Sequence, residues 1–374
     1  MDGFLRHDRE LEAAEAAPGL LTIDLAALVR NHQALAARVA PAACAAVVKA
    51  DAYGLGAVPV TRALQAAGCR HFFVAQSGEA DALLPVLDAG SRIYVLNGLL
   101  PGAEAACAAR GIVPVINSLE QLDRWTETAR EAGRRLPALL QFDTGMSRLG
   151  LPLDSLGEVV ALVSAVPLDI LFVMTHLASA DEPDHVQNGE QRAALARVRD
   201  AFPDIPISFA NSGGVFLGAA FHGALVRPGI ATYGGAPVSG RANPMEPVVR
   251  LDIAVVQTRT VPAGARIGYG GAYVTPAPRR LATLAAGYAD GIPRALSDRG
   301  AVFFEGVRLP ILGRVSMDSM TVDISALPEG TLTLGSRVEF IGPHQTLEEI
   351  AAQAGTIAYE ILTRLGQRYR RIHR

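Results

Sequence analysis

Two textures alternate along most of this chain. Short, mostly apolar runs recur, and between them lie stretches whose apolar residues return every three or four positions. The first suits a strand buried on both faces, and the second suits an amphipathic helix laid against it. Apolar runs fall at 45–48, 72–75, 92–96, 112–116, 138–142, 168–174, 207–210 and 224–226. Helical spacing fills the gaps. Asp24 stands where an N-cap would, ahead of Leu25, Leu28, Val29 and Val39, while Pro59 suits a first turn and Gly68 and Gly133 suit helix ends. Eight strand–helix repeats predict a closed (β/α)8 barrel of the α/β class, with an open doubly wound sheet as the alternative.

Beyond Ser239 the texture changes. Ser239-Gly240-Arg241-Ala242-Asn243-Pro244 has the composition of a domain edge. Short β-like segments follow at 248–256, 281–285, 301–304, 307–312, 321–324 and 337–341, with turns at Pro262-Ala263-Gly264 and Glu305-Gly306. Thr346 would cap a helix over 347–354, and another follows Thr356. The expected organisation is a barrel over 22–240 and a mostly β domain over 241–374, with 1–21 an acidic, Ala-rich extension able to pack on it.

Composition narrows the function classes. The chain has 374 residues, enough for two domains, and a net charge of −3, so no broad basic field attracts nucleic acid. No apolar run approaches the length needed to cross a bilayer. Met1-Asp2-Gly3-Phe4-Leu5-Arg6-His7-Asp8 lacks the basic flank and apolar stretch of a secretion signal, which leads us to expect a cytoplasmic protein. Cys44, Cys69 and Cys107 are scattered, with no CxxC pair and no metal-ligand spacing, so reduced thiols and no metal are expected.

Barrels carry their chemistry at the C-terminal ends of the strands. Lys49 ends the first run, and Gln141, Asp143 and Arg148 follow the fifth. His176 follows the sixth, Asn211-Ser212-Gly213-Gly214 the seventh and Arg227-Pro228-Gly229-Ile230 the eighth. Each has a plain structural explanation: a solvated lysine, a packed histidine, a turn opening a helix. Their joint placement on one rim favours a site. A lysine beside an apolar strand gives up its proton more readily and can form a Schiff base with an aldehyde. The turns after strands seven and eight are a common phosphate site in barrels. Together these features suggest pyridoxal phosphate, but lysine-dependent aldolases of the same fold would share them.

The segment Ala46-Val47-Val48-Lys49-Ala50-Asp51-Ala52-Tyr53-Gly54-Leu55-Gly56 closely resembles the pyridoxal-lysine motif of alanine racemases. Further similar blocks run in order to the C-terminus. They are Asp143-Thr144-Gly145-Met146-Ser147-Arg148-Leu149-Gly150, Thr175-His176-Leu177-Ala178, Arg227-Pro228-Gly229-Ile230 and Ile267-Gly268-Tyr269-Gly270. After them come Gly287-Tyr288-Ala289-Asp290-Gly291, Gly313-Arg314-Val315-Ser316-Met317-Asp318 and Thr356-Ile357-Ala358-Tyr359-Glu360-Ile361.

The resemblance implies roles residue by residue. Lys49 would hold pyridoxal 5'-phosphate and act as one base, and Tyr269 would be the base on the opposite face. Tyr53, Ser212, Gly229, Ile230 and Tyr359 would hold the phosphate, with Asn211 beside them. Arg227 would face the pyridine nitrogen and His176 would lie against the ring. Arg148 and Met317 would meet the substrate carboxylate, and Tyr288 would line the entrance. Tyr269 and Met317 would come from the partner of a head-to-tail homodimer. A free tyrosine ionises near ~10, so a cationic surrounding would have to lower that value for a base. D-alanine for the cell wall is the implied product, and catabolic use of D-alanine is equally compatible.

Gln141 departs from the family, which usually has a lysine there, often carbamylated, to orient the arginine. The expected substitutes are the glutamine amide, another acid or an anion such as chloride. The competing assignments are a racemase of serine or of several small amino acids, a decarboxylase of the same fold type, and a non-catalytic pyridoxal-phosphate-binding protein. The Tyr269 and Arg227 blocks favour a racemase over the decarboxylase, and Tyr269 with the second domain argues against the non-catalytic carrier. Side-chain room near Tyr288 and Met317 would decide between alanine and another amino acid.

Overall fold

The computed structural model describes residues 16–374, so most of the expected N-terminal extension lies outside the described residues. In the unit Ala26–Glu246 the apolar runs form eight parallel strand positions. The first is broken into Ala43–Cys44 and Ala46–Val47. His71–Val74, Arg92–Val95, Val113–Ile116, Leu136–Asp143, Leu168–Met174, Ile207–Ser208 and Leu225–Val226 follow. The broken strand closes the ring, because Ala43 and Cys44 pair with Leu225 and Val226 while Ala46 and Val47 pair with Phe72 and Phe73. An open sheet would leave those two edges unpaired. A short piece, Leu151–Pro152, pairs beside the end of the fifth strand.

Burial explains why these runs became strands. All four residues of Val113–Ile116 are buried, as are Phe72, Phe73 and Val74. Helix Leu25–Val39 lays Leu28, Leu35 and Val39 inward. Helix Leu119–Glu131 starts where the Ser118 hydroxyl accepts from the Gln121 N–H at 3.2 Å, and it buries Leu122, Trp125 and Ala129. Each such leucine contributes roughly 1.5–3 kcal/mol.

The second unit joins the described residues up to 25 with Pro247–Arg374. Its first strand, Gly19–Ile23, lies antiparallel to Val249–Val261 and parallel to Arg370–His373. The long strand Val249–Val261 pairs with Arg337–Ile341 through its first half and with Arg279–Leu284 through its second. Its register with Arg279–Leu284 shifts between Val255 and Gln257, a bulge that lets one strand turn between two partners. Met320–Asp323, Val307–Leu312 and Ala301–Phe304 complete an antiparallel ring. Helix Leu347–Ala354 opens on a reciprocal cap between Thr346 and Glu349 and ends at left-handed Gly355. Helix Ala358–Thr363 follows. No described helix is long and apolar enough to cross a membrane.

Candidate active site

Lys49 stands just past the first barrel strand, and the backbone after it is unusual. Ala50, Asp51, Ala52 and Tyr53 all have φ between 51° and 59°, one left-handed turn built without glycine. Each such residue costs roughly 1–2 kcal/mol, so the turn persists only because its surroundings impose it. The Glu79 carboxylate does much of this. It accepts from Ala50 N at 2.5 Å, Ala75 N at 2.6 Å and Gln76 N at 3.0 Å. Asp51 Oδ1 accepts from Ala57 N at 2.7 Å, and Gly54 and Gly56 carry the chain out at φ 83° and 99°. The turn sets Tyr53 against Tyr233, their rings stacked 4.6 Å apart, and the Tyr233 hydroxyl donates to Val47 O at 2.8 Å. Desolvation lowers the pKa of Lys49, the Arg148 charge lowers it further, and Glu79 opposes them.

The turns after strands seven and eight are tied together by Ser212, whose buried hydroxyl accepts from Gly229 N at 2.9 Å and Ala231 N at 3.3 Å. A Cβ on Gly229 would lie 2.1 Å from the Tyr53 hydroxyl, so Tyr53 reaches this turn only because residue 229 is glycine. Ile230 is buried behind it. Asn211 braces rather than projects: its Oδ1 accepts from Gly214 N at 2.9 Å and its Nδ2 donates to Leu177 O at 3.2 Å.

Arg227 is 3% exposed, yet no carboxylate pairs with it among the described residues. It donates to Ser208 Oγ at 2.5 Å, Thr175 O at 2.7 Å and Phe209 O at 3.3 Å, all neutral acceptors. Burial brings its pKa down to about 10. Desolvation, with the charges of Arg227, Arg148 and Lys49, pushes His176 down to about 3, which keeps the ring neutral at physiological pH. Lys49, Arg148 and Arg227 thus surround a neutral histidine, an electrostatic setting that favours an anion.

Gln141 does not hold Arg148. Its amide donates instead to Leu149 O at 3.1 Å, on the returning limb of the same loop. Asp143 Oδ1 shapes that loop by accepting from Gly145, Met146 and Ser147 N at 2.9, 2.9 and 3.1 Å. Arg148 is exposed, and its guanidinium has no hydrogen bond or carboxylate partner among the described residues.

The remaining predicted residues belong to the second unit. Tyr269 sits at the tip of a hairpin formed by Arg266–Ile267 and Tyr273–Val274 and is 71% exposed. The tip rests on Gly313 and Arg314: a Cβ on Gly313 would lie 2.7 Å from Ile267 O, and one on Gly268 would lie 3.2 Å from Arg314 N. Tyr288 N donates to Ser316 O and Ala289 N to Met317 O, both at 3.0 Å. Buried Asp290 takes two hydrogen bonds from Arg368, at 2.6 and 2.7 Å, and Arg368 also reaches Asp318 at 2.7 Å. Three separate sequence blocks are thereby locked together, with Tyr288 and Met317 exposed on them. Tyr359 is half-exposed on helix Ala358–Thr363.

Sequence reading missed Glu79, Gln187, Gln191 and Ser208 and gave Thr175 no role of its own, yet each braces this rim. Glu79 has the look of an ordinary helix-capping residue for Gln76, and nothing local shows that it also holds Ala50. The glutamines look like the solvent side of a helix.

Family models describe what the geometry implies. The alanine racemase N-terminal domain matches residues 23–237, and the alanine racemase C-terminal domain matches residues 248–373. This chain belongs to the alanine racemase family. Among curated relatives, a catabolic alanine racemase of Rhizobium johnstonii is 63% identical over 374 residues, covering 100% of this chain and 99% of its own. A catabolic alanine racemase of Agrobacterium fabrum is 60% identical, covering 96% and 93%. An alanine racemase of Brucella abortus is 53% identical, covering 99% and 96%. Among solved structures, the alanine racemase of Bartonella henselae, with covalently bound pyridoxal phosphate, aligns with a TM-score of 0.92 at 44% identity, covering 96% of this chain and 100% of that one. The alanine racemase of Streptomyces coelicolor A3(2) aligns with a TM-score of 0.90 at 33% identity, covering 96% and 99%. The α/β barrel and the antiparallel β domain of this chain are therefore those of the alanine racemases.

Proposed function

We propose that this chain interconverts L- and D-alanine, with pyridoxal phosphate held by Lys49 and with Lys49 and Tyr269 as its two acid/base groups. The carrying observation is Lys49 itself: a lysine of lowered pKa, fixed by a strained turn, on a rim whose other charges favour an anion. The rim fits the cofactor. The absence of a Cβ at Gly229 lets the Tyr53 hydroxyl lie directly against the turn after strand eight, and the Ser212 hydroxyl, which accepts from Gly229 N, sits at the same turn. Tyr53, Ser212, Gly229 and Ile230 would hold the phosphate there, with Tyr359 joining them and Asn211 bracing the turn. Arg227 is a buried cation with no carboxylate among the described residues, which suits an uncharged nitrogen acceptor such as the pyridine ring. His176 would lie against that ring.

Bound pyridoxal phosphate supplies an electron sink that acidifies the α-hydrogen of an amino acid. The chain supplies the proton handling. Lys49 removes or returns the proton on one side of the α-carbon and Tyr269 does so on the other, because a single base returns its proton to the side it came from. Arg148, unpaired by any side chain among the described residues, meets the substrate carboxylate or a small anion, with Met317 near it and Tyr288 at the entrance. In a head-to-tail homodimer each chain lends Tyr269 and Met317 to its partner. Their exposures of 71% and 53% leave both side chains free to reach a partner chain.

Purified holoenzyme in D2O should exchange the α-proton of both enantiomers and abolish their optical rotation. A protein with the cofactor's absorbance that exchanges neither enantiomer would instead be a racemase of another small amino acid or a carrier. The catabolic qualifier borne by the relatives at 63% and 60% identity supports alanine breakdown over cell-wall supply. A strain lacking this gene should then grow without added D-alanine but fail on D-alanine as carbon source. A D-alanine requirement for growth would overturn that role.

A further inference from the structure

Helix Val186–Ala201 starts after the loop that follows strand six, and Gln187 and Gln191 lie four residues apart on one face of it. Both amides cross to the barrel rim. Gln191 is fully buried, and every polar atom of its side chain is used. Its Nε2 donates to His176 O at 2.8 Å and to Thr144 Oγ1 at 3.2 Å, while its Oε1 accepts from Ala178 N at 2.9 Å. Thr144 Oγ1, which accepts from Gln191, also shares a 2.7 Å hydrogen bond with Thr175 Oγ1. The amide orientation is fixed by chemistry, since His176 O can only accept and Ala178 N can only donate. Gln187 repeats the pattern one turn earlier. Its Nε2 donates to Gly145 O at 2.8 Å, and its Oε1 accepts from Ser179 Oγ at 2.6 Å.

Each amide therefore touches the loop 143–150 with one end and the segment 175–179 with the other. The first carries Arg148 and the second carries His176. Asp143 gives the Arg148 loop its shape, but those bonds lie within the loop and do not aim it. Gln141 ties down only the returning limb, at Leu149. With no side-chain bond of its own among the described residues, Arg148 stands where the backbone at 144–147 puts it.

We propose that Gln187 and Gln191 are positioning residues that lace the Arg148 loop to the His176 segment and so fix where the substrate carboxylate is received. This rests on the assignment of Arg148 to that carboxylate. The bracing takes over a task that a side chain at position 141 does not perform in this chain.

The test uses holoenzyme variants Gln187→Ala, Gln191→Leu and Arg148→Gln, with the double variant of Gln187 and Arg148. Gln187 is half-buried, so its loss leaves the fold standing even if Gln191→Leu does not fold. Gln187→Ala should raise KM for both enantiomers about threefold to tenfold, with kcat and the cofactor's visible absorbance unchanged. Placed in the Arg148→Gln background it should add no further rise, because a residue acting through Arg148 has nothing left to position. A raised KM in Arg148→Gln beside a wild-type KM in Gln187→Ala overturns the brace, as does a Gln187 effect that adds fully in the double variant. A wild-type KM in Arg148→Gln overturns the assignment of Arg148 instead.

Discussion

Lys49→Ala will lose the visible absorbance of a covalently held cofactor and will racemise alanine at least about a thousandfold more slowly. The expectation comes from the side chain's setting. Lys49 follows directly on the barrel strand, and the four left-handed residues after it leave its backbone no room to drift. Desolvation and the Arg148 charge both disfavour the ammonium form, so the free amine exists at a lower pH than in a solvated lysine. Activity that depends on that amine is present above the lowered pKa and is lost as pH falls through it. Alanine at this position removes the nucleophile and the base together while leaving in place the turn, which Glu79 holds from outside and Asp51 ties to Ala57. The melting temperature should therefore change little, and added methylamine should restore part of the activity by filling the vacated space. Racemisation within tenfold of wild type in Lys49→Ala would remove Lys49 from the chemistry.

Much of the barrel was legible in the chain because burial on both faces writes a strand as an unbroken apolar run. The run at 112–116 holds the strand Val113–Ile116, buried at all four residues, and the less buried run at 168–174 is the strand Leu168–Met174, while 301–304, 307–312 and 337–341 are strands in the second unit. Gly19–Ile23 was not foreseen, although Leu21 and Ile23 alternate inward, because the strand is short and follows a long Ala-rich stretch. The Tyr269 hairpin escaped for a different reason. Each of its strands has only two residues, too few to show a period, and its tip is shaped by glycines that lean on Gly313 and Arg314.

At the site, the rim residues were legible from the rule that barrel chemistry gathers at strand ends, and from the likeness of the blocks around them. What holds those residues in place was not. Ala50, Ala52 and Tyr53 have no preference for a left-handed turn, and Asp51 only a slight one. The groups that impose it, Glu79 among them, come from elsewhere in the chain. Gln141 was legible as a departure, but its partner, Leu149 O, depends on how the loop returns.

Tyr269→Phe offers the sharpest separation of the two bases. The change removes one oxygen from a side chain that is 71% exposed at a hairpin tip, so neither the fold nor the cofactor's absorbance should alter. Racemisation should fall about 10²–10⁴-fold. It must fall by the same factor in both directions, because L- and D-alanine have equal free energy in water and the ratio of the two kcat/KM values cannot move. Exchange at the α-carbon is free of that constraint. Lys49 still serves one side, so one enantiomer should keep trading its α-proton for deuterium with its configuration retained, while the other exchanges no faster than it racemises. A loss of exchange from both enantiomers alike would mean that Tyr269 shapes the site without taking a proton. Undiminished racemisation would mean that a different group stands opposite Lys49.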